Sequence, residues 1–165
     1  WRPAWERLLD DRKLDAQAKL TRFYTEYGKH ILERDWVRIF VFSGLSDRFI
    51  TDRYFALLGE KLFPRLVGES RRYLGRPHRG KPTARELELI MGLHGSVFYM
   101  GMRRWVYGHA AQGSQTEPFD QVFIADRVRG YLLALDQATT QDMAPKARFP
   151  AQPQPNQEVS SWPLH

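Results

Sequence analysis

Apolar residues recur three and four positions apart along most of the chain, the mark of helices that each bury one face. Leu14, Ala18, Phe23, Tyr27 and Ile31 suit one long helix, with Leu20, Tyr24 and Leu32 widening its apolar face. Trp5, Leu8 and Leu9 suggest the end of an earlier helix, interrupted around Asp10 and Asp11. The stretch from Trp36 to Phe42 is β-branched and aromatic, which would suit a strand, but no partner strand is visible elsewhere. An orphan strand would leave its backbone groups unpaired, so a short buried helix is expected. Ser46 or Asp47 can cap the next helix, which carries Ile50, Tyr54, Leu58, Leu62, Leu66 and Tyr73 up to Gly75. Pro64 inside that pattern predicts a kink. Pro82 followed by Thr83-Ala-Arg-Glu86 reads as a capping box that opens a helix to about Gly108. Thr116 and Pro118 start a final helix reaching about Ala138. The expected organisation is an all-α domain over residues 1–140, followed by a Pro- and Gln-rich, disordered tail over 141–165.

The last two helices divide into faces at 100° per residue. One side of the first gathers Leu87, Ile90, His94, Val97, Phe98, Gly101 and Trp105; the other gathers Gly92, Ser96, Tyr99 and Arg103. Glycine inside a helix costs about 1 kcal/mol relative to alanine. Gly92, Gly95 and Gly101 therefore call for a gain from close helix approach. The final helix carries a small-residue stripe of Gly130, Ala134 and Ala138, flanked by Phe119 and Phe123, opposite Ile124, Val128, Leu132 and Leu135. A helix apolar on both sides needs cover on both sides, and a second copy would supply it through a two-fold four-helix interface. The expected dimer residues are Gly92, Ser96, Tyr99, Arg103, Phe123, Gly130, Ala134 and Ala138.

Composition narrows the classes. A hydrophobic share of 42% and a charged share of 27% suit a globular domain, and no apolar run reaches membrane-spanning length. The absence of cysteine excludes disulfides and thiolate chemistry and fits a cytoplasmic protein. A start at Trp1 without a leader is expected of a piece of a longer chain. The net charge of +6 concentrates between Arg65 and Arg85, where seven cations stand against Glu69 alone. A helix end and a solvated loop account for it more simply than a nucleic-acid footprint. Arg38 and Arg53, inside hydrophobic stretches, are expected to reach solvent along their stems.

Catalytic chemistry is not signalled. Glu26 and His30 have the wrong spacing for a di-iron bundle, and no zinc set, nucleophile elbow, P-loop or dinucleotide fingerprint occurs. No metal or cofactor is expected. His94, between Ile90, Val97 and Gly101, is either a satisfied core histidine or a polar anchor in an apolar ligand pocket. Trp36, Phe40, Phe42, Phe49, Tyr54 and Phe55 are first of all core, and their pattern does not say which of them line a cavity.

Asp35-Trp-Val-Arg-Ile-Phe-Val-Phe-Ser-Gly-Leu45, Arg53-Tyr54, and Glu88-Leu-Ile-Met-Gly-Leu-His-Gly95 with Tyr99, Gly101 and Arg103 together resemble the C-terminal domain of TetR-type transcriptional regulators. The resemblance spans roughly Asp11 to Ala138. It implies a six-helix core that binds a small, hydrophobic effector among Trp36, Phe40, Tyr54, Leu58, His94, Val97, Phe98 and Gly101, and a homodimer built from the last two helices. It implies no membrane partner, and DNA binding only through an N-terminal helix-turn-helix that these residues lack. The rival expectations are a helical enzyme with a site near His94 and Arg103, and a ligand-free dimerisation scaffold.

Overall fold

A computed structural model describes residues 2–109 and 117–143, with the side chains of the last helix described over 120–138. The described residues are all helical, with no strand. Helix α1 (Pro3–Asp10) is followed by α2 (Ala16–Ile31), α3 (Arg34–Leu45) and α4 (Phe49–Leu57). A π-helical turn (Leu58–Leu62) joins α4 to α5 (Phe63–Tyr73), then come α6 (Ala84–Trp105) and α7 (Glu117–Met143). Because α4, the π turn and α5 run on without a break, the fold amounts to six helical rods. The segment from Trp36 to Phe42 is helix. Helix α7 continues past Ala138 to Met143, and the rest of the expected tail, 144–165, lies outside the described residues.

Local chemistry sets the ends. Asp15 caps α2 by accepting from the Ala18 amide at 2.8 Å. The capping box on α6 is complete: the Glu86 amide donates to Thr83 Oγ1, and the Thr83 amide donates to Glu86 Oε2. The α3–α4 corner is built differently from the expected simple cap. Arg48 sits in the left-handed region at φ 60°, and its amide donates to the Ser43 carbonyl. Asp47 accepts from the Phe49 amide, and Ser43 Oγ accepts from the Ile50 amide. The expected kink at Pro64 takes the form of the π turn immediately before it. Proline has no amide to bond the carbonyl four residues back, and the Phe63 amide reaches Leu58, five back.

Helices α6 and α7 run antiparallel, since Arg104 at the end of α6 pairs with Asp120 near the start of α7. At the opposite end, Tyr131 lies within electrostatic reach of Arg71 and Glu86. The core between them and α2 contains Phe23, Tyr24, Leu20, Ile90, Val97, Ile124, Val128 and Leu135, all fully or almost fully buried. Gly101 permits the tightest approach. A Cβ there would lie 2.8 Å from Val37 Cγ2 and 3.0 Å from Leu32 Cδ2.

Two ionic features were not visible in the sequence pattern. Lys19 is buried on α2, where its amine donates to the Leu9 carbonyl and to Glu69 Oε2, both at 2.9 Å. This ties α1, α2 and α5 together, with Arg72 completing Glu69. The basic stretch is also less of a free loop than expected. Arg71 forks onto Glu86, Arg76 bonds the Leu135 and Asp136 carbonyls and the Asp136 carboxylate, and Arg65 pairs with Asp10.

Gly101→Ala should destabilise the fold by about 1–3 kcal/mol in urea denaturation, because the added methyl must push Val37 or Leu32 aside. Stabilisation by the ~1 kcal/mol that helix propensity alone would give contradicts the close approach.

Candidate functional site

The polar centre of the bundle is a chain of three side chains from three elements. Tyr27 Oη on α2 lies 2.6 Å from Tyr54 Oη on α4, and Tyr54 Oη lies 2.6 Å from His94 Nε2 on α6. Each residue falls on the inward face of its helix by its spacing from buried neighbours: Phe23 and Ile31 around Tyr27, Leu58 after Tyr54, Ile90 and Val97 around His94. With a proton on Nδ1, His94 accepts from Tyr54, which accepts from Tyr27; with the proton on Nε2 the chain runs the other way.

The centre is enclosed by rings. His94 contacts Tyr24, Tyr27, Tyr54 and Phe63 at centroid distances of 5.5–5.9 Å. Phe40 packs against Tyr54 at 4.9 Å and against Phe98 at 5.0 Å, and Trp36 touches both Phe40 and Tyr54. The expected pocket residues Trp36, Phe40, Tyr54, His94 and Phe98 are thus brought together, but their rings meet one another. Leu58 and Val97 are buried in the same core. Gly101 serves the helix crossing described above, where it meets Val37 and Leu32.

Burial governs the protonation states. It pushes the His94 imidazolium down to about 4, so the ring is neutral at neutral pH. It pushes Tyr27 up to about 12 and holds Tyr24 and Tyr54 well above the ordinary phenol range. The cluster therefore offers neutral hydrogen-bonding groups. Three of its buried polar atoms have no partner among the described residues: His94 Nδ1, Tyr24 Oη and Trp36 Nε1. An unpaired buried polar group costs about 1–3 kcal/mol. Arg103 does not join them. It stands nine residues beyond His94, about 13 Å along the helix axis.

The expected dimer residues separate into three groups. Gly92, Tyr99 and Gly130 are exposed, and among the described residues no other element comes within 4 Å of a Cβ placed on Gly92, Gly95 or Gly130. Ser96, Arg103 and Ala134 are half-buried. Ala138 is buried within the chain's own bundle, and Phe123 packs partly against the core beneath Arg127. Exposed Val122 and Leu133, missed by the small-residue pattern, share the outer side of α7 with Gly130. Phe119 lies outside the described side chains.

Two surface clefts are separate from His94. One, of about 440 Å³, lies where α2, α6 and α7 meet and includes Leu32, Trp105, Asp120 and Ile124. The other, of about 520 Å³, lies between α3 and the end of α6. Among the described residues no group of three or more His, Asp or Glu side chains could hold a metal ion, and no helix is long and apolar enough to cross a membrane. No family model, curated protein or solved structure matches this chain.

A neutral buried histidine gains a proton on unfolding, so its contribution to stability is full above about pH 6.5 and declines as pH falls toward 4. Urea denaturation between pH 7 and 4.5 should show the wild type losing more stability than His94→Gln, by up to about 3 kcal/mol. Parallel losses in both proteins would remove His94 from this role.

Proposed function

We propose that the chain is the effector-sensing and dimerising domain of a TetR-type transcriptional regulator acting as a repressor. The observation that carries the reading is the two-sided use of α6. Its outer side presents Gly92, Gly95 and Tyr99, while its inner side carries His94 and Val97 into the aromatic core. The neighbouring outer side of α7 adds Gly130, Val122 at 61% exposed and Leu133 at 59%. Mid-helix glycines that meet no other element among the described residues, beside exposed aliphatic side chains, fit burial against the same face of a second copy.

In this reading a small apolar effector enters the aromatic cluster and pairs with some of His94 Nδ1, Tyr24 Oη and Trp36 Nε1. Its entry displaces rings and moves α6, which alters the dimer arrangement. The effector acts by binding one arrangement better than the other, a population shift. DNA contact belongs to a helix-turn-helix outside these residues. The ring-to-ring contacts around His94 give specific support to a second reading, a dimerisation scaffold with a filled core.

Light scattering should find the wild type dimeric at micromolar concentration and Leu133→Arg monomeric, with unchanged helicity because Leu133 is exposed. A monomeric wild type, or a dimer that survives the arginine, overturns the interface. In a thermal-shift screen of neutral aromatic compounds, some should stabilise the wild type more than His94→Leu. A dimer that responds to none of them leaves the scaffold reading in its place.

A further inference from the structure

The cleft between α3 and the end of α6 is lined by Arg38, Ile39, Val41, Phe42, Leu45, Trp105 and Val106. Six of these are apolar, and Phe42 and Leu45 stand 72% and 85% exposed. Arg38 is its one charged lining residue, and among the described residues it makes no ion pair or hydrogen bond. From these features we infer a binding groove for a free, monoanionic single-chain amphiphile, a fatty carboxylate: the alkyl chain lies along the groove and the carboxylate meets the Arg38 guanidinium. This site shares no residue with the His94 cluster and stands independently of the regulator reading.

The walls are preformed. The Trp105 indole N–H donates to the Leu32 carbonyl at 2.7 Å, which holds the ring in place at the end of α6. The opposite wall leads into the hydrogen-bonded α3–α4 corner. There Ser43 takes the Arg48 and Ile50 amides, so the end of α3 bearing Phe42 and Leu45 is held in place. A preformed apolar slot loses less ordering entropy on binding than a mobile one. Its volume of about 520 Å³ belongs to small-molecule sites, which span roughly 300–1,000 Å³.

Charge selects the occupant. The lining holds a cation and no carboxylate, so an anionic head is favoured over a cationic one. A two-fold pairing of this face with a second copy would bring Arg38 toward its own image with no carboxylate in the groove to offset it. A partner chain would also need about 800 Å² of its surface covered for a standard interface, more than a slot lined by seven residues offers.

Calorimetry with the full chain tests this, using dodecanoate, dodecanol and dodecyltrimethylammonium below their micellar concentrations. Dodecanoate should bind tightest, and Arg38→Gln should weaken it about tenfold while leaving dodecanol unchanged. Phe42→Ser should weaken both, and His94→Leu neither. Both surface variants should keep wild-type helicity, since the replaced side chains are exposed. Equal affinity for anionic and cationic amphiphiles, or an unchanged Arg38→Gln, overturns the assignment. So does self-association lost in Phe42→Ser by light scattering, or binding seen only to vesicles of phosphatidylglycerol and phosphatidylcholine.

Discussion

Inside a wall of aromatic rings, three polar tips must satisfy one another or go unpaired. Tyr27, Tyr54 and His94 come from α2, α4 and α6, and at 2.6 Å per link they leave little room for any of those helices to slide or turn. Rotating α6 by one residue would move His94 out of reach of Tyr54 and leave that phenol and the imidazole buried without full pairing. At about 1–3 kcal/mol for each stranded group, that is a large share of a domain's net stability. The register of the bundle therefore follows from this chain, and the surrounding apolar contacts, which are less directional, adapt to it.

The consequences run outward along α6. With His94 fixed inward, Gly101 falls two turns later on the same side, where it admits Val37 and Leu32. The same rotation places Gly92, Gly95 and Tyr99 on the outside. Two services thus share one rod in the proposed function: inner contacts that hold the core and an outer face that meets a second copy. Any event that moved the His94 side would be felt on the Gly92 side, because a helix transmits rotation as a body. Tyr54 sits just before the π turn, where the backbone ladder shifts from four-residue to five-residue spacing ahead of Pro64. This is the least regular part of the rod that carries the middle member of the chain.

Helical period was enough to read the order and approximate ends of the elements and to place His94 on an inward face; the grouping of Trp36, Phe40, Tyr54 and Phe98 with it came from the resemblance. His94 was legible because it stands in phase with Ile90 and Val97 on its own helix. Tyr27 was read only as core, since nothing local reveals that its hydroxyl meets Tyr54 across 27 positions. Lys19 and Glu69 escaped for the same reason: a lysine in an apolar stripe looks like a stem reaching water until a carboxylate 50 residues away comes beside it. Arg38 did reach solvent, but its place at the rim of a groove depends on how α6 ends against α3. Ring packing likewise depends on rotamers, so sequence could group the aromatics without telling a cavity from a filled cluster.

The central claim is that His94 and Tyr54 act as one unit that fixes α4 against α6. A double-mutant cycle with Tyr54→Phe, His94→Leu and the combined variant, followed by urea denaturation at pH 7, measures it directly. The two losses should be strongly non-additive, with an interaction of about 1 kcal/mol or more, because the second change removes a group the first has already stranded. Losses that add within about 0.5 kcal/mol would mean that the two side chains contribute separately. The register of the bundle would then rest on apolar packing alone.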